Sequence, residues 1–205
     1  MGDPVLKKLS RRQALGLLFG GVFAGGLPRV AHADAAAEAY VQKIAAEVMA
    51  LANSGQSGKA LRGRFAGVLN RYINLRGIAN FALGPNLKKL PPGDKEMFYD
   101  LVSTYSAALF VYYVEDFRGS ELEILTSETD GKFTTIKSSI KLREGGRENV
   151  RWRLVPQGGG YRVSDVNLKG VWLTISMKQR FKEVLGRSKG DFEPLYAELR
   201  EAETW

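Results

Sequence analysis

The spacing of apolar residues predicts helices in the first half of the chain. Residues 41–51 and 61–72 each carry apolar side chains at the i, i+3, i+4 and i+7 positions of one helix face. Asn74 is a suitable N-cap for a short third helix, which Gly84-Pro85 ends. These segments therefore predict three amphipathic helices before residue 90.

The longest predicted helix, Asp94 to Glu115, is apolar around its whole circumference. Residues 107–114 form an unbroken apolar run. A helix that is apolar on every side is buried on most of its sides. Two interpretations stay open: the helix fills a solid core, or one of its faces lines an internal apolar cavity in front of a sheet. Tyrosines such as Tyr105 and Tyr112 suit a cavity wall, because the ring is apolar while the hydroxyl can reach a polar group at the mouth.

Alternation with a period of two replaces the helical spacing after residue 120. It predicts four strands, which are joined at turn-forming glycines and lie around residues 122–126, 136–142, 150–154 and 161–168. The alternation changes phase between Val163 and Val166, and a β-bulge near Ser164-Asp165 accounts for the change. Two further helices, around residues 175–185 and 192–199, follow the strands.

This order of elements predicts an α+β fold. Strands that are grouped between two groups of helices argue against a doubly wound parallel sheet. We expect a four-stranded antiparallel twisted sheet with one apolar face and one basic, solvated face. The helices are expected to pack on the apolar face and to enclose an apolar cavity.

Residues 1–33 have the composition of an export signal. A basic segment, an apolar stretch from Ala14 to Leu27 and the small-x-small site Ala31-His32-Ala33 follow one another. Ser10-Arg11-Arg12-Gln13-Ala14-Leu15 is similar to the twin-arginine pattern, but Ala14 stands where that pattern prefers Phe, so the general secretory route stays open. The predicted organisation is a twin-arginine-like signal over 1–33 and a single domain over 34–205. A retained surface or anchoring helix is the alternative.

The amino-acid composition limits the kinds of catalysis and metal binding that are open to this protein. The chain has 205 residues, a net charge of +8, no Cys and one His, which lies in the predicted signal. Cleavage after Ala33 leaves about 170 residues, enough for one core, with neither a thiol nor an imidazole for catalysis or metal binding. We therefore expect no thiol or imidazole catalysis and no metal site. A fraction of 44% apolar residues excludes wholesale disorder.

Two groups of charged residues leave other functions open. An exported carboxylate-dependent hydrolase could use Glu115, Asp116, Glu121 and Glu123, although the alternation places the last two on the solvated face of the sheet. The run from Val48 to Gly93 holds seven basic residues and no acid, so it could meet anionic lipid headgroups or an acidic partner. Nucleic acid fits less well, because no recognition motif is present. A purely structural adaptor is a third possibility.

Several short motifs resemble those of one known family. In the C-terminal third they are Tyr161-Arg162-Val163-Ser164-Asp165-Val166, Lys169-Gly170-Val171-Trp172-Leu173, Lys178-Gln179 and Lys189-Gly190. Together with Arg76-Gly77-Ile78-Ala79-Asn80-Phe81-Ala82-Leu83-Gly84 and Val150-Arg151-Trp152-Arg153, they are similar to the MlaC family of periplasmic phospholipid carriers, also called the toluene-tolerance family. The resemblance extends from Ala36 to Arg200. Pro85-Asn86 departs from it, where the family usually places an aromatic residue.

The resemblance implies a lipid carrier rather than an enzyme. Such a protein holds phospholipid tails in a cavity between sheet and helices and needs no cofactor besides this cargo. It works in the periplasm as a monomer, between an outer-membrane lipoprotein complex and an inner-membrane ABC transporter complex that together serve outer-membrane lipid asymmetry. A hopanoid or another terpenoid lipid is the alternative cargo.

The expected lipid-binding side chains come from four places. The long helix supplies one set: Leu101, Tyr105, Leu109 and Tyr112. The sheet supplies the facing set: Ile124, Ile140, Trp152 and Val166. The join between the last strand and the following helix adds Gly170, Val171, Trp172 and Ile175, with Phe81 beneath them. Gly170 is expected to form the turn that brings Val171 to the cavity mouth.

Overall fold

The computed structural model describes residues 34–142 and 145–204, so the predicted export signal lies outside the described residues. Four helices come first: α1 (Ala35–Ala52), α2 (Gly58–Tyr72), α3 (Leu75–Leu83) and α4 (Lys95–Phe117). Five strands follow: β1 (Glu121–Asp130), β2 (Phe133–Lys141), β3 (Arg147–Gln157), β4 (Gly160–Leu168) and β5 (Val171–Trp172). The last two helices are α5 (Leu173–Arg187) and α6 (Glu193–Glu201).

Short 3-10 helices cover Gly84–Lys89, Pro92–Asp94 and Ala202–Thr204. The Asn74 side chain caps α3 as predicted, since its Oδ1 accepts a hydrogen bond from the Gly77 N–H at 3.1 Å. Across residues 34–142 and 145–204, every helix is too short or too polar to span a bilayer.

The strands form one antiparallel sheet in the order β1-β2-β3-β4-β5. The α+β class is confirmed, but the expected number of four strands is wrong, because β5 pairs with β4. Lys169 and Gly170 make the two-residue turn between them, both with positive φ, which a tight hairpin requires. A strand of two residues is too short to show alternation, so the pattern could not reveal it.

Two β-bulges set the phase of the side chains. In β4 an extra residue, Ser164, lies between the pairs Arg153–Asp165 and Leu154–Val163, which confirms the predicted bulge. A second bulge at Leu125 in β1 was not predicted. It leaves Ile124 and Ser127 on the same face of the sheet, although they are three residues apart.

Helices α1 and α2 pack on one face of the sheet, which we call the inner face. The opposite, outer face carries the exposed basic side chains that the alternation predicts: Lys137, Lys141, Arg147 and Arg151. The inner face, α1, α2 and part of α4 form one apolar cluster, the sheet core.

A second apolar cluster, the helical core, joins α3, α5, α6 and the remaining face of α4. Ala107 and Val114 of α4 are buried in the sheet core, whereas Phe98, Val102 and Ala108 are buried in the helical core. Helix α4 is therefore apolar all round because it is shared by two cores.

Candidate functional site

The inner face of the sheet is mainly apolar. Directly opposed residues share a face, so the register defines rows of neighbouring side chains. One row crosses all five strands: Ile124, Ser138, Val150, Leu168 and Val171. The next row contains Ser127, Ile136, Trp152 and Val166, and the row on the other side contains Leu122, Ile140 and Glu148.

Two buried polar side chains at the centre of this surface are satisfied within the sheet. The Trp152 Nε1–H donates to Ser138 Oγ at 3.0 Å, and the Ser138 hydroxyl donates to the Val150 carbonyl at 3.1 Å. Because both donors are already used, this part of the inner face presents carbon rather than free polar groups to a ligand.

The helices cover the two halves of the inner face unequally. Beside the N-terminus of α1, Ile136, Leu154 and Val163 are completely buried, at 0% exposure. In the other half, five apolar residues that pack against the same core stay partly exposed: Leu122, Ile124, Leu142, Val166 and Leu168. We call these five residues the open inner face. Apolar surface that a core leaves partly open is typical of a ligand groove.

The structure brings the predicted residues of the sheet together. Ile124, Ile140, Trp152 and Val166 all lie on the inner face. Val171 joins them, because it is the direct partner of Leu168. Gly170 forms the expected turn before Val171, with a φ of 82°. Leu122, Leu142 and Leu168 were missed as site residues, although the same alternation contains them.

The predicted residues of the long helix do not face the sheet. Leu101, Tyr105 and Leu109 pack in the helical core, where burial raises the pKa of Tyr105 to about 12. Tyr112 lies farther along the same side of α4 and is half-exposed. The α4 side chains that pack on the sheet core were missed: Phe110, Val111, Val114 and Phe117. A helix that is apolar all round gives no sign of which face meets the sheet.

The structure corrects the expected position of Trp172. It pairs with Asn167 on the outer face, where the Arg153 guanidinium carbon lies 4.1 Å from the centroid of its ring. Because Val171 takes the inner position after the two-residue turn, the next residue points to the other face. Ile175 and Phe81 belong to neither core and are each about half exposed.

A buried carboxylate fixes the connection from β4 to α5. Asp165, which is 3% exposed, accepts hydrogen bonds from the Thr174 N–H at 3.1 Å, the Thr174 hydroxyl at 2.6 Å and the Val166 N–H at 2.9 Å. The Arg153 guanidinium lies 3.9 Å from the same carboxylate. Since buried charge needs such partners, this cluster determines where α5 begins relative to Val171.

The carboxylates that suggest a hydrolase lie apart from the open inner face. Glu123 forms an ion pair with Arg147 at 2.6 Å on the outer face, and Glu115 pairs with Arg118 at 2.9 Å at the end of α4. Glu121 is exposed on the outer face, and Asp116 is exposed near the end of α4. The part of the chain that the structure describes contains no group of three or more acidic or His side chains that could hold a metal ion.

A partly open apolar sheet face under a layer of helices is the geometry of a binding protein for apolar ligands. The chain belongs to the MlaC family, since the family model described as MlaC protein matches residues 41–201. The fold is similar to that of a phospholipid-binding protein from Ralstonia solanacearum, solved in complex with a phospholipid at 1.53 Å.

That similarity has a TM-score of 0.69 and an identity of 18%, and it covers 83% of this chain and 98% of the other. At this identity the likeness shows the fold. A comparison with curated protein sequences gives no significant match. Membership of the MlaC family indicates a binding or transport protein.

Proposed function

We propose that this protein is a periplasmic phospholipid carrier. It binds the acyl chains of the lipid against the open inner face and moves the lipid between the two membranes, from and to an outer-membrane lipoprotein complex and an inner-membrane ABC transporter complex. The main support is the set of five partly exposed apolar residues that make up the open inner face. Family membership and the phospholipid bound to the Ralstonia solanacearum protein agree with this proposal.

The energetics explain why such a carrier is needed. Removing one CH₂ group from water is worth about 0.8 kcal/mol, so two acyl chains with about 30 such groups cost roughly 24 kcal/mol to expose. An unassisted lipid therefore crosses an aqueous compartment too slowly. An apolar groove replaces the bilayer interior, and a docking partner then needs to supply only about 1.4 kcal/mol for each tenfold bias toward loading or release.

In this proposal the sheet provides the floor of the groove. Ile140 and Trp152, which are 4% and 9% exposed, lie between the residues of the open inner face, and Val171 continues it into β5. Phe110 and Val111 of α4 contribute from the helical side, where the Phe110 ring stacks on Phe65 with 3.7 Å between the ring centroids. Trp172 and the helical-core residues Leu101 and Tyr105 have structural roles instead, because they contact Arg153 and the other helices, respectively.

Two adjacent residues give a matched test. Ile124 lies on the inner face, whereas Leu125 is the half-exposed extra residue of the bulge. The wild-type protein and the variants Ile124→Lys and Leu125→Lys would be purified, extracted with organic solvent and analysed by lipid mass spectrometry. We expect a phospholipid in the wild type and in Leu125→Lys, and at least about a tenfold loss of it in Ile124→Lys, because a buried ammonium opposes acyl chains.

Other outcomes of this experiment would contradict the proposal or change the cargo. Equal amounts of lipid in both variants would show that the inner face does not hold the cargo. A polycyclic terpenoid in the extract would assign the alternative cargo. Turnover that single Glu→Gln changes abolish, without a stoichiometric lipid, would instead indicate the hydrolase. Circular dichroism checks that each variant is folded.

A further inference from the structure

The side of the molecule where α3 meets α5 exposes two large apolar side chains among lysines. Phe81 at the end of α3 is 44% exposed, and Ile175 in the first turn of α5 is 50% exposed. Lys178 Nζ lies 4.7 Å from the centroid of the Phe81 ring. Ile175 lies three residues before Lys178, and Lys182 lies four residues after it. All three side chains therefore share one side of α5.

Two further lysines belong to the short helix that begins beside Lys178. The aliphatic stem of Lys178 lies against Gly84, the first residue of the 3-10 helix Gly84–Lys89. That helix carries Lys88 and Lys89 at its other end, about 8–10 Å along its axis from Gly84. We call this group the α3–α5 patch and define it by six residues: Phe81, Lys88, Lys89, Ile175, Lys178 and Lys182.

Few acidic residues accompany the patch in the sequence, and the nearest in α5, Glu183, lies 3.9 Å from Arg180. Residues 75–90 and 173–182 contain no Asp or Glu. Arg76 and Arg180, which lie in the same segments, are bound to Glu96 and Glu198. Among the ion pairs of residues 34–142 and 145–204, none includes a lysine of the patch.

We propose that the α3–α5 patch docks the protein on the surface of an anionic lipid bilayer. Phe81 and Ile175 enter the interface, and the lysines face the lipid phosphates. Lysine suits this role, because its flexible stem can lie along apolar surface while the ammonium reaches headgroups. The arginines, whose planar fork would favour the carboxylates of a protein partner, are already engaged within the molecule.

The position of the patch relates docking to the open inner face. Ile175 follows Val171 by four residues, and Val171 is the last member of the row that crosses the sheet. Docking through the patch therefore brings one end of the apolar row toward the bilayer. This inference goes beyond the proposed carrier function, because the membrane itself is the docking partner.

Binding to vesicles tests the proposal. The full chain would be sedimented with vesicles of phosphatidylcholine, with and without phosphatidylglycerol, at increasing salt. We expect Lys178→Glu, the pair Lys88→Glu and Lys89→Glu, and the pair Phe81→Ser and Ile175→Ser each to weaken binding to the anionic vesicles about tenfold. Residues 1–33 are identical in all variants, so their contribution cancels in the comparison.

The controls carry the same chemical changes at distant positions. Lys132 lies in the β1–β2 turn, and Leu125 lies at the bulge. We expect the variants Lys132→Glu and Leu125→Ser to bind the anionic vesicles as the wild type does. Unchanged binding of the patch variants would overturn the proposal, as would wild-type binding that is independent of phosphatidylglycerol. Patch variants that keep vesicle binding but lose an acidic protein partner would overturn it in favour of that partner. Lipid that copurifies is measured separately, and its absence from the wild type would count against the carrier function alone.

Discussion

Asp34 connects three elements through its own atoms. Its Oδ1 accepts from the Ala37 N–H at 2.9 Å, which caps α1, and its Oδ2 accepts from the Tyr161 hydroxyl of β4 at 2.6 Å. Its backbone N–H donates to Ser127 Oγ of β1 at 2.7 Å. The hydrogen bond from Tyr161 holds the pKa of the Asp34 carboxyl below its ordinary value of 3.8. One residue thus joins the start of α1 to two strands of the sheet, β1 and β4.

This lowered pKa predicts a pH-dependent stability. A carboxylate with a depressed pKa in the folded state stabilises the fold fully above its unfolded pKa, and the stabilisation is lost as the pH falls through the folded pKa. We expect Tyr161→Phe to lower the free energy of unfolding by about 1 kcal/mol at pH 7, and this difference to shrink below about pH 4. Urea unfolding over a pH series measures it.

Tyr40→Phe is the matched control. The Tyr40 hydroxyl donates to the Tyr72 carbonyl at 3.3 Å. Because a carbonyl does not titrate, we expect the loss of unfolding free energy in Tyr40→Phe to stay constant over the same acid range. A difference for Tyr161→Phe that is also constant would show that Asp34 is not the titrating group.

At the scale of elements, the unit formed by β4, β5 and α5 depends on the pair Asp165–Thr174. The Thr174 hydroxyl is buried and donates to the Asp165 carboxylate at 2.6 Å. Val has almost the same shape as Thr but no donor, so Thr174→Val leaves a buried carboxylate with one partner fewer. Thr174→Ser keeps the donor.

We expect Thr174→Val to lower the free energy of unfolding by about 1–3 kcal/mol, and Thr174→Ser by clearly less. Urea unfolding with unchanged m-values measures both changes. Equal losses would mean that the methyl group of Thr174, rather than its hydroxyl, stabilises the unit.

The elements also show what a sequence can predict here. Alternation in β1–β4, together with the predicted bulge near Ser164-Asp165, placed Ile124, Ile140, Trp152 and Val166 on one face, because successive side chains of a strand point to opposite faces. It failed for Trp172, whose face depends on the two-residue turn at Lys169-Gly170 rather than on any repeat. A turn of that length fixes which residues pair across it, so the turn type was the signal that could have placed Trp172.

The pattern of apolar residues could not predict how α4 is rotated about its axis. Its existence and approximate bounds follow from its apolar run, but an all-round apolar helix fits any rotation about its axis. Only packing decides that Val114 faces the sheet core and that Tyr105 faces α5 and α6. The two-core arrangement is therefore a property of tertiary structure, and it turns the four expected residues of α4 away from the sheet.

At the scale of the whole molecule, the proposed binding of lipid on the open inner face predicts that the two cores respond differently to its removal. The open inner face belongs to the sheet core, whereas α5 and α6 contribute their buried residues to the helical core. A ligand that binds only the folded state stabilises it by RT ln(1 + L/Kd), where L is the free ligand concentration. Lipid removal should therefore loosen the strands around the groove more than the helices behind α4.

We expect delipidated protein to have a Tm several degrees lower, corresponding to roughly 2–3 kcal/mol at saturating lipid. Hydrogen exchange, read by mass spectrometry, should increase in β1 and β4 and change little in α6. Restoring phospholipid should reverse both effects. An increase that is uniform over the chain would contradict the separation of the two cores.

The bulge at Leu125 also bears on how separate copies of the protein avoid one another. β1 is an edge strand of the sheet. The unpaired backbone groups of a straight edge strand can hydrogen-bond to another chain, which then extends the sheet. The irregularity bends the backbone there, and Glu121, Glu123 and Glu128 place like charges along the same border. A protein that keeps an apolar face available in water thus carries, on its most vulnerable strand, a built-in obstacle to fibre-like self-assembly.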